Sequence, residues 1–149
     1  MIRQAKKEDL PTVTHLALQL WPDNDFSELA SELTPLLSDP DAALFLSFDG
    51  DTAIGFAQCQ LRRDYVEGTE SSPVGYLEGI FVTPSHRRRG YARLLLAACE
   101  IWAKTKSCRE FASDCELDNT ESLHFHQKVG FTEANRIICF IKRISDAPM

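Results

Sequence analysis

The chain has 149 residues, 44% of them hydrophobic and 26% charged, and its 22 Asp and Glu outnumber 16 Lys and Arg to leave a formal net charge of -6. A chain of this size buries roughly two thirds of the surface its unfolded form exposes, so no disulfide or metal scaffold is needed and one domain over residues 1–149 is expected. The acidic balance argues against a nucleic-acid binder, whose surface must meet phosphate with basic residues, and it suits a cationic ligand.

Met1 to Asp9 carry no apolar run of the kind a secretory signal needs. The longest stretch free of Asp, Glu, Lys and Arg, Leu10 to Pro22, is too short and too polar to span a bilayer. A cytoplasmic protein without membrane contact is the expectation. Cys59, Cys99, Cys108, Cys115 and Cys139 are odd in number and include no C-x-x-C pair, which fits neither a disulfide framework nor a metal site. They read as reduced thiols, most of them small core residues.

Along the chain, Ile2 to Ala5 predicts a short strand, and Asp9 offers an N-cap for a helix carrying Leu10, Val13, Leu16, Ala17 and Leu20 at helical spacing up to Pro22. Phe26, Leu29, Ala30, Leu33, Leu36 and Leu37 predict a second amphipathic helix, with a break near Pro35. Ala43 to Phe48 and Thr52 to Leu61 flank Asp49-Gly50-Asp51 and predict a hairpin. Arg62 to Pro73 reads as an exposed loop of functional length. A strand over Val74 to Val82, a helix over Tyr91 to Thr105, a strand over Glu110 to Asp114, a helix over Asn119 to Val129 and a last β stretch over Arg136 to Lys142 complete the prediction. An antiparallel hairpin followed by β-α-β-α-β indicates the α/β class (α+β in another convention), a mixed sheet with helices on both faces.

The most informative segment is Tyr76 to Ala92, a strand, a turn and a helix start. Its R-x-x-G-x-A string, Arg87 to Ala92, opens an amphipathic helix, so free backbone N–H groups and the positive end of a helix dipole converge on one spot suited to phosphate. Gly90 permits close approach, while Arg87, Arg88 and Arg89 add positive charge in an acidic protein. Taken alone, His86 to Arg89 reads as a solvated basic surface. Neither a G-x-x-x-x-G-K-[ST] nor a G-x-G-x-x-G signature is present, which argues against nucleotide and dinucleotide loops.

This segment resembles the acetyl-coenzyme-A pyrophosphate loop of the GNAT N-acetyltransferase superfamily. The similarity runs over nearly the whole chain, through Ile2 to Leu10, Ile54-Gly55-Phe56 and the N-x-x-S-x-x-F-H-x-x-V-G-F string of Asn119 to Phe131. Within the superfamily the strings Gln19 to Pro22, Arg63 to Gly68, Ser71 to Val74, Leu77 to Val82 and Ala112 to Asp114 are similar to the aminoglycoside 6'-N-acetyltransferases, which modify cationic antibiotics and confer resistance. The resemblance implies the GNAT fold and acetyl-CoA as cosubstrate with no metal. It also implies cofactor contacts from Ile80, Phe81, Val82, Arg87, Arg88, Arg89, Gly90, Tyr91, Ala92 and Asn119, and a homodimer.

Acetyl transfer to an amine needs a neutral nucleophile, a polarised carbonyl and a tolerable leaving group. Glu78, read as sharing one strand face with Ile80 and Val82, is a candidate base and cation anchor; its competing reading is a buried ion pair with an arginine. Asp114, at the end of the next strand, is the second candidate, or else a turn or cap residue. Trp21 and Tyr65 are expected to wall the acceptor, although a tryptophan is more often core. His126 stands where many superfamily members carry a tyrosine acid; it is a candidate proton donor or a packed histidine. Asn135 stands where related enzymes often present an acidic residue. Other readings keep the chemistry and take a polyamine or protein amine as acceptor, or make the chain a non-catalytic acyl-CoA sensor.

Overall fold

A computed structural model describes residues 1–146. Among the described residues five strands form one sheet in the order β1-β2-β3-β4-β5: β1 Ile2–Gln4, β2 Ala42–Asp49, β3 Thr52–Arg62, β4 Val74–Val82 and β5 Phe111–Ala112. The first four are antiparallel to their neighbours and β5 runs parallel to β4, giving the mixed sheet expected. Helices α1 (Leu10–Leu20), α2 (Phe26–Leu33), α3 (Tyr91–Thr105) and α4 (Thr120–Lys128) accompany it.

The sheet separates two apolar layers. On one face Leu95, Leu96, Cys99, Trp102 and Ala103 of α3 pack against Ala43, Phe45, Ile54, Ala57, Cys59, Leu77 and Val82. On the other, Val13, Leu16 and Ala17 of α1 and Leu29 and Leu33 of α2 cover Leu44, Leu46, Phe56 and Phe81. Long apolar rows on both helical layers explain why β2 and the first half of β3 read as nearly continuous hydrophobic runs rather than a strict alternation.

Local details follow the chemistry of the residues. Asp25 caps α2 by accepting from Glu28 N–H at 3.3 Å, and Pro35 converts the end of that helix into a 3-10 turn, Thr34–Leu37. Asp9 stands at the start of α1 but does not cap it. Its carboxylate turns back instead, accepting from Lys6 N–H at 2.8 Å and from both terminal nitrogens of Arg3 at 2.7 and 2.9 Å, and Arg3 is the main reason that its pKa falls to about 2.

Three expectations are corrected. The thiols are less uniformly core than expected: Cys59 and Cys99 are buried, Cys108 is half-buried, and Cys115 and Cys139 are exposed. The strand expected over Glu110 to Asp114 shrinks to Phe111–Ala112, paired only with Gly75 and Tyr76. Residues 136–142 form no strand at all. Strand propensity is expressed only on a sheet edge, and this segment leaves its own sheet and exposes its apolar side chains.

Candidate active site

The site begins with a bulge. In the β3–β4 ladder Gln58 pairs with Gly79 but Cys59 pairs with Leu77, so β4 carries one extra residue, Glu78. The extra residue inverts the alternation. Leu77 packs on the α3 layer together with Ile80 and Val82, whereas Glu78 bonds to Arg62 beside Tyr76 on the opposite face. The expectation that Glu78 shares a face with Ile80 and Val82 is therefore overturned, and a half-exposed carboxylate is delivered to the side where α1 ends.

There Glu78 has a partner. Arg62, the last residue of β3, places Nη2 at 2.9 and 3.1 Å from the two carboxylate oxygens and Nε at 3.3 Å. The same guanidinium lies flat on Tyr76, its carbon 3.4 Å from the ring centroid. Tyr76 is buried, and its hydroxyl donates to Asp114 Oδ2. Burial foremost, with the Asp114 bond behind it, pushes the phenol pKa far above its usual value, so Tyr76 remains a proton donor throughout the physiological range. Arg62, Glu78, Tyr76 and Asp114 thus form one chain of contacts from β3 across β4 to the segment that follows β5.

Trp21, the residue closing α1, forms the next wall. A Cβ at Gly79 would lie 2.7 Å from Cζ2 and Cη2 of the indole, so only glycine lets the ring rest on β4 beside Glu78. The indole also meets Phe56 edge-on at 6.0 Å. Trp21, Gln58, Asn24 and Glu32 line a cavity of about 180 Å³ floored by Leu29, Leu33 and Leu36. Tyr65, by contrast, stands 75% exposed on the loop after β3, its hydroxyl accepting from Gly68 N–H at 3.4 Å. Among the described residues no hydrogen bond or ring contact joins it to Glu78, Asp114 or Trp21. Asn135 donates to Glu67 Oε1 at 2.8 Å on the same loop.

Next to the carboxylates the sheet opens. Among the described residues β4 has no strand partner on the β5 side beyond Gly75 and Tyr76. Thr83 N–H donates to Ile54 O at 2.8 Å on the β3 side, so by strand alternation the N–H groups of Ile80 and Val82 face the gap, while those of Phe81 face β3. The Val82 carbonyl on the open side is held by Arg87 Nε at 2.8 Å.

The loop that follows is preset for an anion. Arg88 (φ 65°) and Gly90 (φ 87°) are both left-handed, and α3 makes its first internal bond from Leu94 N–H to Gly90 O, leaving the N–H groups of Tyr91, Ala92 and Arg93 outside the helical ladder. His86 anchors the turn, with Nδ1 within 3.1 Å of the Thr83 and Ser85 hydroxyls and Nε2 2.9 Å from Asp49. Arg87 is committed to β4, its guanidinium 5.3 Å from the Phe81 ring centroid, and Arg88 and Arg89 extend into solvent. A Cβ at Gly90 would meet nothing within 4 Å, so glycine is demanded there by φ and not by space. Free N–H groups, two exposed guanidinia and an open strand edge fit the pyrophosphate and pantetheine of a coenzyme-A thioester.

On α4, Asn119 caps the helix by accepting from Ser122 N–H at 3.1 Å, which leaves its Nδ2 donor available. His126 is engaged at both nitrogens: Nδ1 donates to Ser122 O at 2.7 Å and Nε2 lies 2.7 Å from the Ser113 hydroxyl. It ties α4 to the residue next to Asp114. Sequence reasoning missed Arg62, Tyr76, Gly79 and Ser113. A signal existed for the first, because Gln58, Gln60 and Arg62 place a polar residue at every second position of an otherwise apolar strand.

Among the described residues no group of His, Cys, Asp and Glu could hold a metal ion, and no helix is long and apolar enough to cross a membrane.

Comparison with known proteins agrees with this geometry. Residues 8–131 match the model of the acetyltransferase (GNAT) family. An aminoglycoside N(6')-acetyltransferase type 1 of Acinetobacter haemolyticus is 42% identical, over 96% of this chain and 98% of its own. One from Stenotrophomonas maltophilia is 45% identical over 93% and 90%. The solved structure of AAC(6')-Iy with the bisubstrate analogue CoA-S-monomethyl-acetylneamine superposes with a TM-score of 0.93 at 43% identity, covering 97% of this chain and 98% of that one. The chain belongs to the GNAT acetyltransferase family, in the branch of the aminoglycoside N(6')-acetyltransferases.

Proposed function

We propose that this chain is a cytoplasmic enzyme, active as a homodimer of single-domain subunits, that transfers the acetyl group of acetyl-CoA to the 6'-amino group of aminoglycosides. The observation that carries the reading is the bulged Glu78, set with Asp114 and Trp21 on one sheet face beside the open edge of β4. Two carboxylates attract a polycation, the indole gives a sugar ring a flat apolar wall, and the open edge lies within the same strand. Relatives bearing the aminoglycoside N(6')-acetyltransferase name, and AAC(6')-Iy bound to its CoA-aminoglycoside analogue, support the same assignment.

Bound acetyl-CoA supplies the acyl thioester. The first-turn N–H groups of α3 with Arg88, Arg89 and Gly90 hold its pyrophosphate, and Asn119 Nδ2 is a donor for the pantetheine arm. The N–H groups of Ile80 and Val82 are the donors available to polarise the carbonyl. Glu78 or Asp114 takes the proton that an acceptor ammonium must lose. For Glu78 to serve, its pair with Arg62 must open, so the incoming ammonium competes with the guanidinium. Tyr76 holds Asp114 in place and, kept protonated, cannot itself be the base. A coenzyme thiolate leaves unaided at a thiol pKa of roughly 8.5, so His126 serves to hold Ser113 beside Asp114.

Steady-state acetylation with kanamycin-type aminoglycosides, spermidine and a lysine peptide tests the reading. Turnover with the aminoglycosides and kcat/KM far above the other two is expected. Preference for spermidine or the peptide would reassign the acceptor, and calorimetric binding of coenzyme A without turnover of any amine would make the chain a sensor.

A further inference from the structure

Arg88 is left-handed at φ 65° without being a glycine. That conformation costs an L-residue free energy and persists only where the surroundings over-determine it. Arg88 also stands in the middle of the anion loop, so its relaxation to an ordinary φ would carry Arg89 and Gly90 away from the free N–H groups that open α3. Something must hold the loop in its strained form before an anion is there to do so.

One restraint is the Arg87 Nε bond to Val82 O at 2.8 Å. The other is His86, the last residue of the short 3-10 turn Pro84–His86. Its Nδ1 lies 2.9 Å from the Ser85 hydroxyl and 3.1 Å from that of Thr83, where β4 ends. The same ring meets Tyr91, the first residue of α3, edge-on at 6.0 Å between centroids. The imidazole therefore touches the chain on its way into the loop and again on its way out, with Arg87 to Gly90 spanned between. What orients the ring comes from 37 residues away: Asp49, the last residue of β2, lies 2.9 Å from Nε2. An ionised carboxylate can only accept, so in the neutral ring Asp49 places the hydrogen on Nε2 and leaves Nδ1 to accept from the two hydroxyls.

Resting on the reading of Arg87 to Ala92 as the pyrophosphate cradle, we infer that Asp49 and His86 are positioning residues for acetyl-CoA: the β2–β3 hairpin, through one oriented imidazole, holds the loop in its anion-binding form. Both side chains act through the backbone of Arg88 and not by touching the cofactor. Affinity then falls by the fraction of molecules whose loop has relaxed. The His86 and Asp49 side chains are 20% and 56% exposed, and a pair this open to water changes an equilibrium by no more than about fivefold. Asp49→Ala should therefore weaken coenzyme A by about threefold. His86→Ala also removes the contacts with Thr83, Ser85 and Tyr91, and should weaken it by about tenfold.

The test is calorimetry with coenzyme A on the full chain, Asp49→Ala, His86→Ala and the double variant. The double variant should bind no worse than His86→Ala, because Asp49 acts only through the ring. Asp49→Asn, whose amide oxygen still accepts from Nε2–H, should bind as the natural chain does. Nitrogen NMR of the imidazole should show the Nε2–H tautomer in the natural chain and a mixture in Asp49→Ala. At saturating acetyl-CoA, kcat and the acceptor KM should stay where they were, which a general loosening of the fold would not allow. Unchanged coenzyme A binding in the single variants, an Asp49→Ala loss that persists without the imidazole, or an acceptor KM that rises as much as the coenzyme A Kd would overturn the clamp. Gly90→Asp separates the reading beneath it: coenzyme A binding unchanged there removes the cradle itself, whereas binding weakened there but intact in Asp49→Ala and His86→Ala removes the clamp alone. Should His86→Ala fail to fold, the contrast between Asp49→Ala and Asp49→Asn still decides.

Discussion

If an acceptor ammonium must displace Arg62 from Glu78, then Arg62→Gln strengthens acceptor binding. The size follows from the geometry. The guanidinium makes a forked pair with Glu78, its side chain 43% exposed against 22% for the glutamate, so the pair contributes about 1 kcal/mol, the upper end for ion pairs in contact with water. Stacking on the Tyr76 ring adds about 0.5–1 kcal/mol. An acceptor relieved of breaking both gains roughly 1.5–2 kcal/mol, so KM for a kanamycin-type substrate should fall roughly tenfold or somewhat more. KM for acetyl-CoA should not change. Glu78→Gln should raise the acceptor KM and lower kcat by on the order of 100-fold if Glu78 accepts the proton. In that background the effect of Arg62→Gln should largely disappear, because the two residues act through one contact. Initial rates of the four proteins at constant ionic strength measure the cycle. An Arg62→Gln variant with a raised acceptor KM, or with the same gain in the presence and absence of the Glu78 carboxylate, would refute the competition and make Arg62 a fixed part of the acceptor wall.

Gly79→Ala places a methyl 2.7 Å from the Trp21 indole, so it should raise the acceptor KM and cost about 1–3 kcal/mol of stability while sparing acetyl-CoA binding; urea denaturation and paired KM values test this. At Gly90 the side chain has room but φ is 87°, so Gly90→Asn should bind coenzyme A nearly normally in calorimetry, whereas Gly90→Asp should bind severely less well through charge. The Arg3 guanidinium holds Asp9 near a pKa of about 2, below the ordinary carboxylate range. A depressed acid stabilises the fold above its unfolded pKa and loses that contribution as pH falls through the folded one. Urea midpoints of the natural chain should therefore drop between about pH 4 and pH 2 by an amount worth about 1 kcal/mol after solvent screening, and Asp9→Asn should lack that component.

Local chemistry determined much of this molecule. The Asp49-Gly50 turn announces the β2–β3 hairpin, the apolar spacing and the Arg87-to-Ala92 string announce α3 and its anion loop, and the segment from Asn119 to Val129 announces α4, because each signal acts within a few residues of itself. What only the tertiary structure decided depends on pairing between distant strands. Period-two reasoning put Glu78 beside Ile80 and Val82, and a single extra residue in β4 sent it to the opposite face; nothing in the residue types of β4 marks a bulge that exists only relative to β3. The contacts Arg62–Glu78 and Tyr76–Asp114 span 16 and 38 residues, and a side chain's partner at that range is set by register rather than by its neighbours. The apolar run near the C-terminus has strand composition, yet composition does not supply an edge to pair with. Whether such a segment becomes a strand is decided by whether an open edge lies within its reach.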